Sequence, residues 1–178
     1  MPFDFKIMNI HDVLLVTPKV FKDERGFFME TYEKRAFDSA GIKMNIVQSN
    51  HSKSVKNALR GLHYQKEPFS QAKLVRCIKG EILDVAVDIR KNSQYFGKYV
   101  QAKLSDENKN MLYIPRGFAH GFLVLSDIAE VVYEVDNLYS KENEAGLIWN
   151  DKTVNINWGI ENPILSEKDS KWPSLEEL

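Results

Sequence analysis

Cysteine is almost absent from this sequence. The one thiol, Cys77, has no intramolecular partner, so a disulfide framework is excluded, and its place after Val75-Arg76 in an apolar stretch reads as a small buried hydrophobe. Long hydrophobic runs are missing as well: nothing approaches the roughly 20 apolar residues of a membrane span. The start, Met1-Pro2-Phe3-Asp4, lacks a basic segment followed by an apolar one, so no secretory signal is expected and a soluble cytoplasmic protein is the default. Neither sign of charge prevails: 24 Lys+Arg stand against 25 Asp+Glu, a formal net charge of -1. Dedicated nucleic-acid binders carry a basic surplus, and none is present here. There is no internal repeat, low-complexity tract or linker-like stretch to divide the chain.

What is present is ordinary globular material in 178 residues, which predicts one domain over residues 1–178. Hydrophobic residues make up 43% and aromatics 11%, enough for a sizeable core. Short strand-like runs dominate, at residues 13–16, 27–32, 45–47, 59–65, 74–78 and 82–89, then 99–104, 111–114, 121–125, 129–135 and 147–149. Lys79-Gly80-Glu81 reads as a tight hairpin turn between two of them. The run 82–89 is apolar enough for a central strand buried on both faces, which makes Asp84 a carboxylate in an expensive place. Helical signal is sparse: residues 34–40 closed by Gly41, and a short turn near 167–170. Many short strands separated by turn signals predict an all-β sandwich or barrel.

Only four histidines are available for chemistry. His11 and His51 have polar neighbours and read as loop residues. His63 differs. In Arg60-Gly61-Leu62-His63-Tyr64-Gln65, alternation puts Leu62 and Tyr64 on one face and Gly61, His63 and Gln65 on the other. Such a face lines a cavity or holds a hydrogen-bonded core histidine. His120 follows the turn Pro115-Arg116-Gly117 and opens the next strand, with a Pro-x-Gly-x-x-His spacing that resembles the second motif of cupins. Metal-binding cupins carry His-x-His in the first motif; here the second position is Gln65, and Lys73 follows where an acid would help. Two histidines without a thiolate or a placed carboxylate make a poor Zn or Fe site, so no metal is expected. The set suits proton transfer instead: a histidine base, a lysine for a developing oxyanion, and Tyr133, a phenol on an apolar strand that is either core or acid.

Taken in order, these segments resemble the dTDP-4-dehydrorhamnose 3,5-epimerase family over nearly the whole chain. The likeness runs through residues 21–30, 48–52, 59–65, 73–76, 80–90, 114–122, 147–151 and 165–169. It implies a cupin-like jelly roll, a double-stranded β-helix with a few short helices. It also implies cofactor-independent inversion of C3 and C5 of dTDP-4-dehydro-6-deoxyglucose, whose C4 ketone acidifies both hydrogens. By resemblance, His63 is the base, Asp169 orients it, Lys73 stabilises the enolate and Tyr133 returns the proton. His120 lies near the C4 oxygen. Asp84 supports one of these cations, or is a solvated strand end. Substrate contacts are implied for Phe21, Arg25, Glu30, Gln48, Asn50, Arg60, Tyr139, Glu144 and Lys168, with the arginines on phosphates and Tyr139 stacked on thymine. A homodimer is implied too, with the N-terminal region serving the partner's site. The motifs do not separate this activity from 3-only or 5-only epimerisation; a cupin that binds a sugar nucleotide without turnover is disfavoured, because a pure binder needs no base-acid pair.

Overall fold

In the computed structural model, which describes residues 2–178, two antiparallel sheets carry most of the strands. The first runs β1-β2-β10-β7-β12-β5. Its strands are β1 (Phe3–Ile7), β2 (Leu14–Pro18), β5 (Gln48–Val55), β7 (Lys73–Lys79), β10 (Met111–Ile114) and β12 (Ile128–Val135). The second runs β13-β6-β11-β8-β9, from β6 (Leu59–Gln65), β8 (Glu81–Asp88), β9 (Tyr99–Ser105), β11 (Phe118–Val124) and β13 (Glu144–Gly146). A separate exposed hairpin joins β3 (Val20–Asp23) to β4 (Gly26–Met29). The sheets pack face to face as a jelly roll. Among the described residues no helix is long and apolar enough to cross a membrane.

The period of two along each strand builds the interior. Val75, Cys77, Leu112, Ile114 and Val131 of the first sheet meet Ile82, Ala86, Phe118, Phe122 and Val124 of the second in one buried cluster. The polar residues of interest occupy the same inward rows. Lys73 precedes Val75 by two, Tyr133 follows Val131 by two, Asp84 lies between Ile82 and Ala86, and His120 lies between Phe118 and Phe122. The outer face of the second sheet buries Leu62, Val85, Val87 and Leu123 against Leu147, Trp158 and Leu175 from the C-terminal segment. On the outer face of the first sheet, Leu74 and Met111 meet Phe37 of α1 (Lys34–Ser39). Glu33 caps α1 by accepting from the N–H groups of Arg35 and Ala36, and Gly41 follows its end at φ +86°.

Several sequence expectations change. Lys79-Gly80-Glu81 is not a hairpin: β7 and β8 belong to different sheets, and the turn carries the chain across the barrel. Gly80 is required there, since a Cβ would lie 2.2 Å from the Ile128 carbonyl oxygen at φ +77°. The strand expected at 45–47 starts at Gln48 and runs to Val55, so His51 is a strand residue, facing Glu130 at 3.1 Å, and not a loop residue. β13 covers 144–146 and not 147–149, and His120 sits in mid-strand instead of opening one. β1 and β3 are strands that the sequence pattern does not predict. Cys77 is buried as expected, and burial pushes its thiol up to about 11.

Candidate active site

Strand pairing sets His63 directly between two neighbours: on β6 it faces His120 of β11 on one side and Gly146 of β13 on the other. Its Nε2 meets Asp169 Oδ1 at 2.6 Å. Asp169 comes from a 3-10 turn, Asp169–Lys171, and is 4% exposed. Burial pushes this carboxyl up, but the hydrogen bond and charge of His63 outweigh it and hold the group below the usual carboxylate range. With an Nε2–H donated to Asp169, the Nδ1 lone pair of His63 is free to accept a proton.

Across the interior, β7 supplies Lys73, whose Nζ donates to the His63 carbonyl at 3.3 Å. Burial lowers this ammonium to about 8, with partial relief from the charges of Asp84 and Glu144. Asp84 is fully buried and accepts from His120 Nε2 at 2.7 Å, so it is no solvated strand end. Its Oδ2 has no protein partner. His120 is itself pushed down by burial, against the pull of Asp84. Tyr133 projects from β12 into the same space, and burial raises its phenol.

These groups line a cavity of about 230 Å³ bounded by Arg60, His63, Lys73, His120, Tyr133 and Glu144. Arg60 and His63 are shared with a wider cleft of about 770 Å³ that includes Lys168 and Asp169. A polar chain closes the rim. Gln48 donates to Asn50 at 2.8 Å and accepts from the Tyr139 N–H at 3.1 Å. Tyr139 and Lys168 both donate to Glu144, at 3.0 and 2.6 Å. The inner cavity is thus small and charged, and the outer cleft is large enough for a longer anionic ligand.

Three expected contacts do not join this constellation within one chain. Phe21 and Arg25 lie on the β3–β4 hairpin and Glu30 just beyond it, all exposed, and Arg25 is paired with Asp23 at 2.6 Å. Conversely, Ser52, Phe122 and Trp172 belong to the site without having been singled out. Ser52 lies on the inward row Gln48, Asn50, Ser52, Ser54, a polar period-two pattern that could have marked a cavity wall. Its hydroxyl oxygen is buried and has no protein partner. Gln65, in the second position of the cupin motif, is structural: its amide, oriented to match its surroundings, donates to the Ser140 carbonyl at 2.8 Å and accepts from the Ser140 N–H at 3.0 Å.

The family model described as dTDP-4-dehydrorhamnose 3,5-epimerase matches residues 7–177. The chain belongs to that family. A dTDP-4-dehydrorhamnose 3,5-epimerase of Shigella flexneri is 61% identical over 162 residues, 90% of each chain. A solved epimerase of Legionella pneumophila, in complex with dTDP-4-keto-L-rhamnose, superposes with a TM-score of 0.94 at 40% identity, covering 98% of this chain and 93% of that one. A 3'-monoepimerase of Streptomyces bikiniensis, in complex with dTDP-quinovose, gives 0.89 at 32% identity, with 95% and 86% covered. The fold is therefore shared between double and single epimerases, while the sequence lies nearer the former.

Proposed function

We propose that this protein, a single jelly-roll domain over residues 1–178, inverts C3 and C5 of dTDP-4-dehydro-6-deoxyglucose to give dTDP-4-dehydro-L-rhamnose. The observation that carries the reading is the pair His63–Asp169, whose histidine lines one cavity together with Lys73 and Tyr133 from the opposite sheet. A proton α to a ketone is removed by His63 Nδ1, and the C–H electron pair moves onto the C4 oxygen. Lys73 stabilises that enolate oxygen, with His120 beside it, braced by Asp84. Tyr133 delivers a proton to the opposite face of the same carbon, which inverts it, and both groups re-equilibrate with solvent before the second carbon reacts. The Lys73 ammonium, largely stripped of water, acts on the enolate more strongly than an exposed lysine would.

The larger cleft suits the nucleoside diphosphate, with Arg60 and Lys168 near the phosphates and Tyr139, Gln48 and Asn50 toward the base; Glu144, on the wall of the inner cavity, is a further substrate contact. Phe21, Arg25 and Glu30 are assigned to the partner's site in a homodimer. This is supported by the exposed Phe21, Phe27 and Phe28 of the hairpin, at 50, 54 and 65%. A cytoplasmic location goes with this reading, because the sugar nucleotide is a cytoplasmic metabolite.

The test is His63→Ala. Wild type exchanges the sugar's C3 and C5 hydrogens with D₂O, and the variant is expected to lose both exchanges while still binding dTDP. Full exchange in that variant would remove His63 as the base. A cupin that only binds the nucleotide sugar predicts no exchange in wild type either.

A further inference from the structure

Asp169 has a second donor that the reaction does not account for. Its Oδ1, the oxygen that meets His63, also accepts from the Trp172 indole N–H at 3.3 Å. Trp172 is half-buried and held by several contacts. Its ring lies against Gly146, where a Cβ would stand 2.3 Å from the indole; the φ of Gly146 is not in the left-handed region, so this glycine is there for space. Gly146 is the register partner of His63, so the ring packs at the base's own position in the sheet. The indole meets the His63 imidazole nearly edge-on, with centroids 6.1 Å apart at 73°, and Lys168 Nζ lies 5.8 Å from its centroid. Beyond it, the Ile148 N–H donates to the Pro173 carbonyl at 2.9 Å. The Leu175 N–H donates to Asp151 Oδ2 at 2.8 Å, and Asp151 is itself buried.

We infer that Trp172 is a positioning residue for the base: wedged between β13 and the C-terminal segment, it holds the Asp169 carboxylate against His63 and shares the oxygen His63 uses. This rests on the reading of His63 as the base. Two consequences follow from one hydrogen bond. The N–H fixes the orientation of a carboxylate carried on a short turn, and it draws electron density from Oδ1, which tempers the pull of Asp169 on the His63 proton. Without that N–H the carboxylate is a stronger acceptor, the imidazolium is favoured, and the base is neutral over a narrower pH range. The other ionisable groups facing His63 are Arg60 on β6, Lys73 on β7, Tyr133 on β12, Glu144 on β13, Lys168 from the C-terminal segment, and His120 with its Asp84. All of them are kept in a variant of Trp172, and of them only Lys168 lies over the indole ring.

The test is Trp172→Phe, which keeps a ring against Gly146 and loses the donor. The acid limb of the kcat/KM profile is expected to move up by about 0.5 pH unit, so that kcat/KM well below the limb falls about threefold while its plateau value is little changed. A merely structural role predicts lower activity with an unmoved acid limb, and that result overturns the inference. A second measurement needs no variant to fold. In wild type labelled with ¹⁵N-tryptophan, one indole N–H resonance of the three tryptophans is expected to titrate together with the His63 imidazole. If none follows it, the inference fails. Loss of exchange in His63→Ala decides the base separately, so failure here leaves that reading standing.

Discussion

Replacing Lys73 with methionine is expected to make the protein more stable and nearly inactive. The side chain lies in the interior, 8% exposed, and burial brings its ammonium from 10.5 to about 8. At pH 7 the folded state therefore carries a proton it holds poorly, a cost of about 3 kcal/mol. The sign follows from proton counts. Between about pH 8 and 10.5 the unfolded lysine is protonated and the folded one is not, so stability from this group rises with pH across that window; below pH 8 the whole cost is present. Methionine keeps the length and apolar stem, removes the charge, and gives up the 3.3 Å bond to the His63 carbonyl, which is worth about 1 kcal/mol. The net gain at pH 7 is about 2 kcal/mol, or roughly 4–8 °C in Tm for a chain of this size. Loss of one oxyanion donor lowers kcat by about 10²–10³. Denaturant unfolding of wild type and Lys73→Met at pH 7 and pH 10, with turnover at pH 7, reads all of this. The stability gap should close by pH 10. A variant less stable than wild type at pH 7, or a gap unchanged between the two pH values, refutes the reasoning, as does turnover within tenfold of wild type.

Two further outcomes are expected. Tyr133→Phe removes the acid but leaves the base, so exchange with D₂O should persist while inversion falls about 10²–10⁴-fold, read by NMR of the recovered sugar. Loss of exchange together with inversion would place Tyr133 in the deprotonation step instead. Mixing His63→Ala with Arg25→Ala subunits under conditions of subunit exchange should restore about a quarter of wild-type activity, since half the dimers then contain one intact composite site. No recovery in a mixture shown to form heterodimers would confine Arg25 to its own chain's site.

How far the site could be read from sequence depends on how local its signals are. His63 stood out because alternation set it with Gly61 and Gln65 on one face of an otherwise apolar strand; of that face only His63 lines the cavity, Gly61 packs against Gly121, Gln65 is tied to Ser140, and Arg60, which simple alternation puts on the other face, joins His63 in the lining. Asp84 was conspicuous for the opposite reason, a carboxylate inside a strand buried on both faces, and it proves to be paired with His120. By contrast β5 was misplaced. Its Gln48, Asn50, Ser52 and Ser54 are polar because they face the site, so functional composition masked the strand propensity. The Gly80 turn was recognisable as a turn, but its flanking strands join different sheets, and the contacts that make glycine necessary there come from the remote Ser126–Ile128 segment. The partnership of His63 with Asp169 spans 106 residues and has no local trace; family resemblance alone pointed to it. Trp172 shows the limit most plainly, since the role inferred for it depends on space left by Gly146 on another strand.

The central claim, inversion at two carbons through one base, one acid and an enolate, is tested most directly by isotope incorporation. Wild-type protein is incubated with dTDP-4-dehydro-6-deoxyglucose in D₂O and the product is analysed by NMR and mass spectrometry. The account predicts deuterium at both C3 and C5 of a product with the L-rhamno configuration. Deuterium at only one of the two carbons, with the other still in its original configuration, would contradict it.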